Sequence, residues 1–188
     1  MLKGNKVILR KKRWEDVTRD YRWNTSETLT RLDASEPIPL SFSEFATVYK
    51  DQLDNPDSKG QRFAIDTMEG KHIGNCAYYN LDWLKRETEI GIMLGESDHW
   101  DRGCGTDAIN ILTDYLFRKV RLTRIYLHTL EWNGRAQRCF EKCGFTSQGL
   151  RQRRGYTFMH MDLNRTTWEQ LPSQDDQCED EQEIPSQV

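Results

Sequence analysis

The 188-residue chain holds no apolar run approaching the roughly 20 residues that a membrane-spanning helix needs. Its mean hydropathy of -0.84 and 30% charged residues likewise argue against a spanning protein. An apolar signal-peptide core is missing as well: Met1-Leu-Lys-Gly-Asn-Lys6 leads straight into the strand-like Val7-Ile-Leu9. A soluble, cytoplasmic protein without a membrane partner is therefore expected. Cysteine is sparse and unpatterned. Five residues (Cys76, Cys104, Cys139, Cys143 and Cys178) make an odd count at irregular spacings, which excludes a regular disulfide framework and predicts reduced thiols. Hydrophobic residues, at 36%, are few for a globular domain, yet six Trp and 11% aromatics suffice to fill a core. Positive charge disappears near the end, where Glu169 to Val188 carry seven acids and no Lys or Arg. The formal net charge of -3 thus divides into a body, residues 1–168, with 27 bases against 23 acids, and an acidic tail, residues 169–188, expected to be disordered. The length predicts one domain, and no internal repeat is present.

What is there alternates. Val7–Leu9 reads as a first strand, and apolar residues at 14, 17, 21 and 23 as a helix. After the helix-breaking Glu36-Pro-Ile-Pro39, Ser41 and Glu44 have capping-box spacing ahead of a second helix. Phe63–Met68 and His72–Tyr79 flank a Glu69-Gly70 turn as a hairpin, followed by a fourth strand, Thr88–Leu94, whose apolar end predicts burial on both faces. Then come a helix from about residue 106 to Lys119, a strand Thr123–Leu130, a helix Asn133–Lys142 closed by Gly144, and strands within 145–153 and 155–163. The order predicts an α/β fold on a mixed sheet.

Chemistry concentrates between Glu89 and Phe145. A strand leads into Trp100-Asp-Arg-Gly-Cys-Gly-Thr106 and then a helix, an arrangement whose backbone N–H groups suit a phosphate anion. By itself Gly-x-Gly is equally a plain strand–helix turn. No Gly-Lys-Ser/Thr follows, which excludes a Walker A loop, and Ala108 stands where a dinucleotide fingerprint needs a third glycine. One helix and one strand downstream lies Asn133-Gly-Arg-Ala-Gln-Arg-Cys-Phe-Glu-Lys-Cys-Gly-Phe145.

Together these two segments resemble the acetyl-CoA site of the GNAT N-acetyltransferase superfamily, over residues 7–165. In the form Trp-x-x-Gly-x-Gly-Thr-x-Ala, Asn-x-Arg-Ala and Glu-Lys-x-Gly-Phe, they are similar to the branch of ribosomal-protein N-terminal and spermidine acetyltransferases. The resemblance implies a mixed, mostly antiparallel sheet of six to seven strands with about four helices, splayed between the fourth and fifth strands. It implies that backbone groups of Ile92, Met93 and Leu94 pair with the pantetheine arm of acetyl-CoA, and that amides of Arg102, Gly103, Cys104, Gly105 and Thr106 hold its pyrophosphate. Asn133 would contact the arm, and Arg135, Arg138 or Lys142 the adenine-end phosphates. The family's thiolate-protonating tyrosine falls at Phe140, which has no proton to give.

A primary amine, with a pKa of about 10, needs a general base before it can attack. Glu89 is the first candidate, with Glu87 and His128 behind it. The implied function is acetyl transfer from acetyl-CoA to a primary amine in a ternary complex, with a protein N-terminal amine first and a polyamine or amino sugar next. A non-catalytic acyl-CoA sensor is the alternative, and a homodimer is possible. Cys139 and Cys143 stand four apart but lack a second pair, so small buried hydrophobes are expected and no metal. The basic clusters Lys11–Arg13 and Arg151–Arg154 carry no readout motif, so nucleic acid is an unlikely partner.

Overall fold

The structure, a computed structural model, describes residues 1–171. Eight strands form one sheet in the order β1-β2-β3-β4-β5-β6-β8-β7. They are β1 (Leu2–Lys3), β2 (Val7–Lys11), β3 (Gln61–Thr67), β4 (His72–Asp82), β5 (Glu87–Leu94), β6 (Arg124–Leu130), β7 (Thr146–Arg153) and β8 (Tyr156–Asn164). Six α-helices flank them: α1 (Val17–Asn24), α2 (Glu27–Leu32), α3 (Phe42–Asp54), α4 (Cys104–Asp114), α5 (Gly134–Lys142) and α6 (Arg165–Trp168). All strand pairs are antiparallel except β5 with β6.

The expected α/β fold with a mixed, mostly antiparallel sheet is the one found. Its strand count exceeds expectation because two residues before Gly4 pair back on β2, a ladder too short to show as periodicity. Two helices also went unread: α2 and α6 have six and four residues, below the length at which an apolar stripe repeats. The acidic-tail reading lies, from residue 172 on, outside the described residues.

Local chemistry explains the elements that were read. Ser41 Oγ accepts from the Glu44 amide while Glu44 returns to the Ser41 amide at 2.9 Å, the reciprocal box that starts α3. Gly144, at φ 88°, closes α5. Val7, Leu9, Ile65, Ile90, Ile125 and Leu127 on the sheet pack against Ala108, Ile109 and Leu112 of α4 to form the core. On the opposite face, under α1, a charged network is buried. Arg10 bridges Asp16 (2.7 and 2.8 Å) and Asp66 (2.6 and 3.0 Å), and Lys12 reaches Asp20 at 2.6 Å. Trp23, 1% exposed, packs there on His72. It belongs to the core, whereas Trp14 is exposed.

One long-range tie fixes the start of α4. The Asp107 carboxylate accepts from the backbone amides of Asn5, Lys6 and Val7 at 3.2, 2.8 and 2.9 Å. Lys6 Nζ then donates to the Arg102 carbonyl at 3.1 Å. The turn between β1 and β2 therefore braces both the first turn of α4 and the loop before it.

Candidate active site

The parallel pair β5–β6 is short. Its register runs Glu87–Arg124, Thr88–Ile125 and Glu89–Tyr126, and stops. Beyond this point β5 continues with β4 and β6 with β8, and the two strands part. This is the splay expected between the fourth and fifth strands of the sequence reading. It also corrects one expectation: the apolar end of β5, Gly91 to Leu94, is half-buried rather than enclosed on both faces, because a cleft opens where β6 has turned away.

The cleft has a volume of about 300 Å³. Ile92, Met93 and Leu94 line it from the strand, Gly103, Gly105 and Thr106 from the loop, and Asn133, Arg135, Phe140 and Lys142 from α5. Arg102 and Cys104, expected alongside them, do not line it. The Cys104 side chain turns into the core, 8% exposed, and Arg102 offers its carbonyl to Lys6. Gly103, with φ 80°, makes the left-handed turn that starts α4. Asn133 Oδ1 caps α5 by accepting from the Ala136 amide at 3.3 Å, and Phe140 packs edge-on to Phe145.

Several wall residues escaped sequence reasoning. Trp100 donates its indole N–H to the Leu94 carbonyl at 2.8 Å, and the Arg135 guanidinium lies 3.7 Å from the centroid of the same ring. Leu29, Leu32 and Asp33 enter from the unread α2 region. Burial of its carboxyl in the cleft wall pushes Asp33 up to about 6. The three basic side chains Arg135, Arg138 and Lys142 stand on one wall.

Two of the three expected base candidates, Glu89 and His128, meet where the strands part. Glu89 is 5% exposed, with both oxygens engaged: Oε1 lies 2.9 Å from His128 Nδ1, and Oε2 accepts from Asn80 Nδ2 at 3.0 Å. Asn80 reaches inward because β4 bulges there, at φ 57°. The His128 imidazole stacks on His160 at 4.7 Å. Arg124 Nη2 lies 3.2 Å from His160 Nε2; since a guanidinium only donates, this assigns His160 its proton on Nδ1. Burial, then His128 and Arg124, hold His160 below the ordinary imidazole range, so it stays neutral at pH 7. Glu87 is set apart, paired with Arg124 at 2.9 Å.

Comparison with known proteins decides the family. An acetyltransferase (GNAT) domain matches residues 6–146. The chain belongs to the GNAT acetyltransferase family. It is 26% identical over 146 residues to spermidine N(1)-acetyltransferase of Vibrio cholerae, covering 78% of this chain and 82% of that one. It is 33% identical over 156 residues to aminoglycoside N(6')-acetyltransferase type 1 of Klebsiella pneumoniae, covering 78% and 77%. Among solved structures, spermidine N-acetyltransferase from Vibrio cholerae with CoA and spermine superposes with a TM-score of 0.76 at 23% identity, covering 87% of this chain and 98% of that one. The chain is thus an N-acetyltransferase of the acetyl-CoA-dependent class. Among its described residues no three His, Cys, Asp or Glu side chains gather as a metal site, and no helix is long and apolar enough to cross a membrane.

Proposed function

We propose that this acetyltransferase moves the acetyl group of acetyl-CoA onto a primary amine of a small polycation, by direct attack in a ternary complex. The observation that carries the reading is the stretch of β5 from Ile90 to Leu94, left without a partner on its β6 side and opening into a cleft that ends on the N-terminus of α4. This donor set fits acetyl-CoA: a free strand edge for the amide-bearing arm, helix-start amides for the pyrophosphate, and cations for the remaining phosphate. Ile92, Met93 and Leu94 pair with the arm. Backbone amides of Arg102 to Thr106 hold the pyrophosphate, Asn133 meets the arm through its free amide hydrogens, and Arg135, Arg138 and Lys142 supply charge. The bound donor provides an activated thioester carbonyl and a thiolate leaving group. With Phe140 in the wall, water protonates that thiolate.

The amine proton leaves through the Glu89–His128 pair. Glu89 accepts the Nδ1 proton of His128, which leaves the Nε2 lone pair as the outward basic face. A buried carboxylate then steadies the imidazolium that forms. Glu89 also anchors Asn80, so it orients the imidazole from a fixed seat.

Asp33 at the cleft supports a cationic acceptor, as do the two relatives named for spermidine and aminoglycosides. A peptide N-terminal amine is the second reading, favoured by the Trp-x-x-Gly-x-Gly-Thr motif. Thiol release from acetyl-CoA with spermidine, kanamycin and a peptide bearing a free N-terminus separates the two. A kcat/KM at least about tenfold higher for spermidine or kanamycin is expected, a gap of roughly 1.4 kcal/mol. A peptide preference of the same size would overturn the polycation reading.

A further inference from the structure

A tyrosine that no motif singled out stands beside the splay. Tyr79 on β4 pairs in register with Glu89 on β5, and Glu89 in turn with Tyr126 on β6. Residues level with one another across a sheet project from the same face, so a carboxylate lies in one row between two phenol rings. The rings differ in what they hold. The Arg124 guanidinium stands 5.2 Å from the Tyr126 centroid and takes that ring. Tyr79, 37% exposed, is the open one.

Gly91 gives the Tyr79 hydroxyl its place. A Cβ on this glycine would sit 3.4 Å from the phenol oxygen and 3.5 Å from Cε1, so the tip of the ring lies along β5 one residue before Ile92. Two residues past the Glu89–Tyr126 pair, the same register would set Gly91 beside His128, with the splay between them. Tyr79 and His128 therefore flank one point of β5 from its two sides, and Asp33 enters the cleft wall from α2. The side chains gathered here accept hydrogen bonds or attract cations. Burial, then the charges of Glu89 and Asp33 and a hydrogen bond to Glu89, raise the Tyr79 phenol. It keeps its proton and turns it to Glu89, which leaves the lone pairs of its oxygen for an incoming donor.

We propose that Tyr79 seats the acceptor: its oxygen accepts one N–H of the incoming ammonium, its ring face and the Asp33 carboxylate attract the charge, and a second N–H is left for His128. This inference rests on the cleft being the acetyl-CoA site. The ligand so selected is a primary ammonium, whose three N–H donors serve phenol, carboxylate and imidazole together. A quaternary ammonium brings the charge without the donors and meets only the ring and the carboxylate. The seat holds the amine before its proton leaves, so it acts on acceptor affinity rather than on the chemical step.

The test is two-substrate steady-state kinetics on the full chain, with whichever of spermidine, kanamycin and the N-terminal peptide turns over fastest. Tyr79→Phe removes one oxygen from a partly exposed residue and keeps the ring, and a urea midpoint equal to that of the wild type shows the fold intact. Its KM for the acceptor should rise about tenfold, while kcat stays within about threefold and the KM for acetyl-CoA within about twofold. Tyr79→Leu removes the ring as well and should raise the acceptor KM further. An unchanged acceptor KM in Tyr79→Phe overturns the proposal. So does an equal rise in both KM values, which marks a structural role, or a fall in kcat alone, which moves the hydroxyl to the chemical step. Acetyl-CoA titration of the wild type, followed by tryptophan fluorescence, tests the cleft reading separately. Intact binding with no Tyr79 effect sinks only the acceptor seat, whereas absence of binding removes the cleft reading and the seat with it.

Discussion

The indole N–H of Trp100 is bonded at 2.8 Å to the carbonyl of Leu94, the last residue of β5. Loop and strand end are thereby locked together, and Arg135 lies over the ring from the facing helix. Trp100→Phe keeps a stacking surface and removes the donor, so it should raise the KM for acetyl-CoA several-fold and cost about 1 kcal/mol of stability. Trp100→Ala removes the stack as well and should raise KM further. Equal KM values for wild type and both variants would separate the lock from donor binding.

Glu89→Gln and His128→Gln address proton removal. Each should lower kcat about 10²-fold while the KM for acetyl-CoA stays within about twofold. Because the two groups work as one unit, the double variant should be little worse than either single variant. Full activity in His128→Gln beside a crippled Glu89→Gln would instead make the carboxylate the direct base.

Asp107 serves three backbone donors of a segment about a hundred residues away. Asp107→Ala leaves these amides without an acceptor and should destabilise the fold by about 2–3 kcal/mol in urea denaturation. The same loss frees the loop after Trp100, so acetyl-CoA affinity should fall along with stability.

Acid should weaken the network beneath α1. Burial works against the Asp16 carboxylate, yet the Arg10 fork and the Arg13 amide hold it at about 2, against an ordinary 3.8. A folded value below the unfolded one means stability that is complete above about pH 4 and lost as pH falls toward 2, worth about 2 kcal/mol. Asp16→Asn should flatten that part of the stability–pH curve, and urea midpoints between pH 2 and 5 would show it.

What the sequence revealed, and what it hid, follow from the range of the interactions. Ser41 with Glu44, Gly144 after α5, and the glycines at 103 and 105 act within a few residues, so their spacing carries the signal. The pairing of Glu89 with His128 spans 39 positions, and the Asp107 tie spans 100 to 102. Both depend on strand order and register, which no local pattern encodes. The loop of Arg102 and Cys104 was legible for the same local reason, while the burial of the Cys104 side chain beyond the left-handed Gly103 depends on packing that no local pattern encodes.

A sheet ordinarily has two edges, and this one has a third inside it. Along Ile90 to Leu94 the side of β5 facing β6 is left without a ladder partner. Such an open edge invites pairing with foreign strands, the first step of aggregation. At the outer edge, β7 is exposed along its whole length and carries Arg151 and Arg153, charges that repel another copy. The inner edge has no such guard and is protected by shape alone. It is five residues long and recessed between the loop before α4 and the wall of α5, so a slender chain can enter where a second sheet cannot.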